Sequence, residues 1–490
     1  MLETIVQAIN GVIWSPALVF LCLGSGIFFS VYLKFPQFRF FKHGIKATLN
    51  RKDSDAGISP FQSFCTSVGA KVGMGNIAGV ATAIFFGGPG AVFWMWLSAI
   101  LGASAAFAES SLAQAYKILH SQTGEYVGGP FYFIEKGLKI KWLAVAFALA
   151  TVLGPGITMC GLHTNSVASV MDNAFGTPWL VSGAVFTFFL GVVVCGGIKR
   201  IGKVSEPMSI AMCIIYIIMT IVVAILRFQE LPGVFAMIFK GAFGLDAAFA
   251  GIMGSTISWG IKRGVYSNEA GQGSGAIMCA PTETSHPAAQ GVVQILSVFM
   301  DTLVICSASA IIILCSGFYN VQGTDGNLIV NQAGTVDYGI LYVQEGLNLV
   351  LPGTLSGKIL AVATILFVFT GMMGYYYQAE SATNYLFKGK KWAVIAIRVI
   401  FLSSIFSGVL MENESLWAMG DIGVGIMAWI NIIAILLMCK QVKAIMKDFE
   451  EQDRLGVEPC FDPADFSIED SSGAWTKYAE KKKDQINGKK

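Results

Sequence analysis

Charge is what this sequence has least of. Only 13% of its 490 residues are Asp, Glu, Lys or Arg, about half the share of an ordinary soluble chain. The body of the chain is poorer still, because the stretch from Lys440 to the end holds 10 Lys/Arg and 11 Asp/Glu. Such scarcity excludes a disordered chain and a long coiled coil and argues against a soluble enzyme. A net charge of +2 leaves no large basic surface for nucleic acid.

Chemical motifs are missing as well. There is no P-loop, HExxH, GxSxG or paired-carboxylate motif, so the sequence points away from an enzyme and an ATP-driven pump and calls for no cofactor. The 10 cysteines form no CxxC and no Cys/His ligand spacing. Cys22, Cys65, Cys160, Cys195, Cys213, Cys306 and Cys315 lie in apolar runs and read as small packing residues.

What is present is apolar: 54% hydrophobic residues, 35 Phe, 55 Gly and a mean hydropathy of +0.63. This chain uses lipid as its solvent, and glycine within apolar helices lets neighbours approach closely. Eleven runs are long enough to cross roughly 30 Å of hydrocarbon: 12–33, 60–86, 89–117, 142–165, 178–198, 204–226, 246–275, 287–316, 354–387, 392–410 and 415–439. The first does not read as a convincing signal peptide, since Glu3 and no Lys or Arg precede it and no small-residue cleavage site follows.

Basic residues set the orientation. Lys34, Arg39, Lys42, Lys46, Arg51 and Lys52 follow the first run, which places that loop in the cytoplasm. The loops that must then also be inside contain Lys136, Lys139 and Lys141; Lys199, Arg200 and Lys203; and Lys388, Lys390 and Lys391. Loop 317–353, which must be outside, carries no Lys or Arg, and 411–414 reads Met-Glu-Asn-Glu. The expectation is a multi-pass protein of the cell (inner) membrane with its N-terminus outside and its C-terminus inside.

Two runs are poor helices. Residues 67–79 pack four glycines, Lys71 and Asn76 at membrane depth, and residues 260–271 hold three glycines with Lys262, Arg263, Asn268 and Glu269. Glycine within a helix costs about 1 kcal/mol relative to alanine, and a charge facing lipid costs more. Both stretches are therefore expected to be partly unwound and to face protein or a cavity. They also match each other: Lys71-x-Gly73-x-Gly75-Asn76-x-Ala78-Gly79 against Lys262-x-Gly264-x-x-Ser267-Asn268-x-Ala270-Gly271. The seventh run lies five runs on from the second, an odd number, so the two cross in opposite directions, as in an inverted-topology repeat. Two glycine-rich packing seams are the plainer alternative, but packing needs neither the Asn nor the inversion. The division is a first helix and basic loop (1–59), repeat 1 (60–226), repeat 2 (227–440) and a polar cytosolic tail (441–490) read as partly disordered.

A broken helix exposes N–H groups on one side, suited to a carboxylate, and carbonyls on the other, suited to Na⁺. With that in view, Gly87-Gly88-Pro89-Gly90-Ala91-Val92-Phe93-Trp94-Met95-Trp96-Leu97, with Gly75-Asn76-Ile77-Ala78-Gly79 before it and Phe107-Ala108-Glu109 after it, resembles the alanine/glycine:cation symporter family. The segment Arg263–Gly271 resembles the family's second signature, and the likeness runs from about Phe35 to Lys440.

The resemblance implies an all-α protein of eleven transmembrane helices. Helices 2–6 and 7–11 would form the five-plus-five inverted repeat, with helices 2 and 7 broken. It implies import of a small neutral amino acid with Na⁺ or H⁺, by a monomer or weak oligomer. Amides of Met74 and Gly75 would hold the substrate carboxylate, and His163, Trp259, Gly371, Met372 and Tyr375 would line the pocket. Carbonyls of Gly69 and Val72, with Phe367, Gly371 and the Thr370 hydroxyl, would hold Na⁺; Thr370 could instead bond back to its own helix. Asn76 would serve the ion or the helix break.

Three residues depart from the family pattern: His163 replaces Gln, Gly371 replaces Thr, and Tyr375 replaces Trp. The last two remove volume, so a larger or polar cargo such as glutamine is expected. His163 is read either as a neutral hydrogen-bonding ring or as a proton-sensitive site. Lys71, Lys262, Arg263, Glu269 and Asp301 are candidates for a gate or ion pairs, with Glu269 expected to pair with Lys71, Lys262 or Arg263. The competing function is a channel that uses the breaks as a filter.

Overall fold

A computed structural model describes residues 2–49, 54, 56–120, 123–246, 249–351, 353–411 and 413–487. Arg51, Lys52 and Glu412, used above for orientation, lie outside the described residues.

The chain is helical almost throughout. Leu2–Ile13 (α1) and Pro16–Tyr32 (α2) are followed by the short Pro36–Arg39 (α3) and Phe41–Thr48 (α4). Next come Pro60–Lys71 (α5), Met74–Gly87 (α6), Ala91–Ala115 (α7) and the single turn Pro130–Phe133 (α8). Lys141–Leu153 (α9) passes through a π-helical turn at Gly154–Thr158 into Cys160–Phe175 (α10). Trp179–Val194 (α11), Gly197–Leu226 (α12) and Leu231–Ala242 (α13) follow. Met253–Asn268 (α14) and Ser274–Cys279 (α15) precede Pro287–Val298 (α16), which runs through a π-helix at Phe299–Cys306 into Ser307–Ser316 (α17). Ile340–Val350 (α18), Leu355–Phe387 (α19), Lys391–Ser407 (α20), Asn413–Leu437 (α21), Cys439–Arg454 (α22) and Thr476–Asn487 (α23) complete it.

Among the described residues, nine helical stretches are long and apolar enough to cross a membrane. The fifth and seventh sequence runs are not among them. The fifth forms the 16-residue α11, and the seventh is divided between α14 and α15. The sixth begins earlier than expected, at Gly197, so Lys199, Arg200 and Lys203 are helical rather than in a loop. The supposed loop 227–245 contains the apolar α13, and loop 317–353 contains a small hairpin (Asn320–Gln322 with Leu328–Asn331) and α18.

The broken pair α5–α6 occupies the centre. In its most apolar stretch 94% of residues are buried, against 33% for the first span. Its polar groups therefore face protein and not lipid, as the cost of unsatisfied backbone in hydrocarbon demands. Ser59 and Gln62 form a capping box at the start of α5, with Pro60 at a position that needs no N–H donor.

The tail departs from the sequence reading: it is folded. Helix α22 buries Val442, Ile445, Met446 and Phe449, an i, i+3, i+4, i+7 stripe. Arg39 pairs with Glu450 at 2.7 Å, and Phe461 N–H donates to Ser285 O at 3.0 Å. Trp475 is 1% exposed. Its ring and that of Tyr126 flank Lys117 Nζ at 4.4 and 4.2 Å, and burial pushes that amine down to about 7. Tyr478 donates to Glu283 Oε1 at 2.5 Å, and Lys482 bridges Asp448 and Asp465.

Candidate functional site

The first break lies at Val72–Gly73. Helix α5 stops at Lys71 because Val72 (φ −73°, ψ 83°) and Gly73 (φ −133°, ψ −145°) leave helical space. The Gly73 N–H is taken by Lys71 O at 2.8 Å and Asn76 Oδ1 at 2.9 Å. It is thereby withdrawn from Gly69 O, the acceptor an unbroken helix would give it. Of the two roles expected for Asn76, the amide oxygen serves the break. Met74 and Gly75 open α6, so their N–H groups are among those a helix start leaves without helical acceptors.

His163 faces this gap. A Cβ added to Gly73 would lie 3.1 Å from His163 Nε2. His163 Nδ1 sits 2.9 Å from Met159 O. A carbonyl only accepts, so Nδ1 carries the hydrogen, and Nε2 of the neutral ring is an acceptor turned toward the break. The Tyr375 ring stands perpendicular to it at 5.3 Å. Met74, Gly75, His163 and Tyr375 thus share one buried locality.

The ion candidates gather where α5 crosses α19. A Cβ at Gly69 would lie 2.6 Å from Ser209 Oγ and 3.0 Å from Thr370 Cβ, so only glycine fits without movement. A Cβ at Gly371 would lie 3.7 Å from Gly69 O and 3.8 Å from Ala70 O, an ordinary contact, which leaves room beside both carbonyls. Thr370 Oγ1 donates to Leu366 O and Phe367 O, both at 3.0 Å. The back-bonded alternative therefore holds for its proton, while its lone pairs stay available to a cation. The Phe367 ring rests on Tyr216 at 5.3 Å, and Met372 is fully buried.

The second break lies between α14 and α15. Glu269 (φ 56°), Gly271 (φ 82°) and Gly273 (φ 88°) take left-handed backbone, the region that favours glycine. The breaks meet at Gly75, where a Cβ would come within 3.1 Å of Ser267 Cα. Asp301, in the π-helical stretch, joins them. It accepts from Asn76 Nδ2 at 2.6 Å on Oδ1, and from Ser267 Oγ and Thr302 Oγ1 at 2.8 Å on Oδ2. This fully buried carboxylate is satisfied by three donors.

Two expectations are corrected. Among the described residues, Glu269 forms no ion pair with Lys71, Lys262 or Arg263. Lys262 (2.7 Å) and Arg263 (2.9 and 2.8 Å, bidentate) both pair with Asp421 on α21. Lys71 Nζ donates to Ser297 Oγ at 2.7 Å and Gln294 Oε1 at 3.2 Å. Trp259 stands apart from the pocket candidates. It stacks on Phe86 at 4.4 Å and lies beside Gly87, the end of α6 opposite Met74, about 20 Å away along the axis. Asp421 was missed, although an acid inside the apolar run 415–439 is itself a signal.

A family model for the sodium:alanine symporter family matches residues 1–463. Among curated relatives, the proposed sodium/proton-dependent alanine carrier protein YrbD of Bacillus subtilis is 46% identical, covering 95% of this chain and 96% of its own. The sodium/proton-dependent alanine carrier protein of Bacillus sp. PS3 is 40% identical, over 88% and 97%. The proposed sodium/glutamine symporter GlnT of Bacillus subtilis is 38% identical, over 94% and 93%. The chain belongs to the sodium:alanine symporter family: it is a multi-pass secondary transporter, neither a channel nor an enzyme.

Proposed function

We propose that this chain imports a neutral amino acid together with Na⁺ across the cell membrane by alternating access, with its folded tail in the cytoplasm. The observation that carries the reading is the Val72–Gly73 break, which turns α6 N–H groups and α5 carbonyls toward one buried locality. The Met74 and Gly75 amides bind the substrate carboxylate. Carbonyls of Gly69, Val72, Phe367 and Gly371 and the Thr370 hydroxyl bind the co-transported Na⁺. His163, Gly371, Met372 and Tyr375 shape the side-chain pocket. Eleven spans, with helices 2–6 (60–226) and 7–11 (227–440) as inverted repeats, supply the two rocking halves.

Gly371 leaves room that a larger side chain at this position would fill, and His163 Nε2 offers an acceptor. The pocket therefore favours a larger cargo with a hydrogen-bond donor in its side chain, such as glutamine, over alanine. The relatives that carry the names of alanine and glutamine carriers bracket this range. The test is uptake of labelled alanine and glutamine into proteoliposomes under an imposed Na⁺ gradient, an H⁺ gradient or none. Uptake indifferent to every gradient would overturn the transport reading. Alanine and glycine outcompeting glutamine by tenfold or more would overturn the cargo.

A further inference from the structure

Three buried carboxylates, Glu109, Glu269 and Asp301, act electrostatically on the buried ammonium of Lys71, whose own hydrogen bonds go to Ser297 and Gln294. Their hydrogen bonding is unequal. Asp301 accepts three donors across its two oxygens. Glu109 Oε2 accepts Gly273 N–H at 3.1 Å and Asn431 Nδ2 at 2.6 Å. Among the described residues, Glu269 accepts only Ser274 Oγ, at 2.6 Å on Oε2, and its Oε1 has no partner although the residue is 1% exposed. A bare carboxylate oxygen away from water is costly, and the cheapest remedy is a proton.

Glu269 is also built into the second break. Its N–H closes the last turn of α14 on Val265 O, and its carboxyl reaches Ser274, the first residue of α15. It holds left-handed backbone (φ 56°) with a side chain that disfavours it, a strain that persists only where the surroundings enforce it.

We propose that Glu269 is the proton-binding site of this carrier, loading and releasing a proton as the second break is exposed to one side of the membrane and then the other. The proton arrives from water, forms the O–H bond on Oε1, and leaves to water on the far side, with no other reactant. Its charge state sets whether the strut between α14 and α15 is a carboxylate or a neutral acid. The titratable groups that face Glu269 are Lys71 on α5, Glu109 on α7, Asp301 in the π-helical stretch, Tyr266 on α14 and Tyr375 on α19. The inference rests on the reading that cargo is driven by a cation gradient.

The test places the carrier in proteoliposomes holding an entrapped pH dye, with equal Na⁺ on both sides and the membrane potential clamped to zero. Added alanine or glutamine acidifies the lumen with the wild type. With Glu269→Gln the proton signal falls at least tenfold, while counterflow of the same amino acid, which needs no net proton movement, continues. Wild-type acidification persisting in Glu269→Gln overturns the proposal, as does wild-type uptake with no proton movement. A wild type that takes up neither amino acid under any gradient speaks against the transport reading instead.

A second measurement needs neither a variant nor a cargo. Dicyclohexylcarbodiimide labels protonated carboxyls in apolar surroundings, and mass spectrometry locates the adduct. Labelling on Glu269 that declines at alkaline pH is expected. Labelling of Asp301 or Glu109 with Glu269 unmodified overturns the assignment.

Discussion

Removing the charge of Asp421 separates an ion pair that merely exists from one the fold depends on. Asp421 is 1% exposed and is shared by the Arg263 fork and Lys262 Nζ. Asp421→Asn keeps the shape but places an NH₂ group against donors, leaving two buried cations without an anion. Breaking a buried pair by removing one partner costs about 3–5 kcal/mol. The rings around Arg263 (Trp417 at 4.2 Å, Trp259 at 5.0 Å) offset part of this and set the lower end. A chain of 490 residues unfolds with an entropy of about 1 kcal/mol/K by size scaling, so Tm should drop by about 3–5 °C. The triple variant Lys262→Met, Arg263→Met, Asp421→Leu removes every charge and should melt above Asp421→Asn, because buried charge without partners costs more than no charge. The assay is thermal unfolding of the purified carrier in one detergent. Asp421→Asn melting within about 1 °C of wild type, or the triple variant melting below it, would refute the reasoning.

Other outcomes follow from the same geometry. Gly69→Ala drives a Cβ to 2.6 Å from Ser209 Oγ; the Na⁺ concentration for half-maximal uptake should rise about tenfold, a loss of about 1.4 kcal/mol. Ser209→Gly should restore part of it, and no rescue would place the defect elsewhere. His163→Gln should change the ratio of glutamine to alanine uptake while leaving the pH profile of transport as in wild type, and a flattened profile would return the proton to His163. Acid should release the tail. His286 Nδ1 accepts Ala288 N–H and its Nε2–H donates to Asp448, so protonation of Nδ1 removes the cap of α16. Burial holds the His286 pKa below its ordinary 6.5. Burial raises Asp448, but its hydrogen bonds with His286 and Lys482 leave it lowered overall. In both cases the released state binds the proton first, so docking weakens as pH falls below about 6.5. Proteolytic cutting of the tail should increase from pH 7.5 to 5.5, and His286→Asn should flatten that dependence.

The two breaks were legible because glycine, Asn and Lys inside an apolar run leave few other solutions at membrane depth. Their contacts were not. Nothing local to Lys262 or Arg263 points to Asp421, 158 positions away from Arg263, and proximity in sequence made Glu269 the more obvious partner. The tail failed for another reason. The apolar stripe Val442, Ile445, Met446, Phe449 was present, but a composition dominated by charge read as solvated chain. Those charges are spent on partners such as Arg39 and His286, which only the fold brings near. The α11 and α14–α15 runs show a limit of hydropathy itself: it counts apolar residues, not the length over which they stay helical.

The junction of the breaks explains why glycine and scarce charge occur together. At Gly75 the backbone of α6 meets Ser267 on α14 so closely that a Cβ would sit 3.1 Å from the Ser267 Cα, tighter than ordinary contact. That contact brings Asn76 and Ser267 within reach of one carboxylate, Asp301. Moving one break without the other would pull a donor away from a buried anion, and each hydrogen bond to a charged group is worth about 1.5–3 kcal/mol. Two such bonds, one from each break, make separate movement the costly path and joint movement the cheap one. The glycines therefore do more than let helices pack: they place the polar tie. Because the tie is a single charge satisfied by three donors, with the Lys71 ammonium acting on it as well, it survives burial. It also leaves Lys71 and the bare oxygen of Glu269 as the groups whose balance a cation can change.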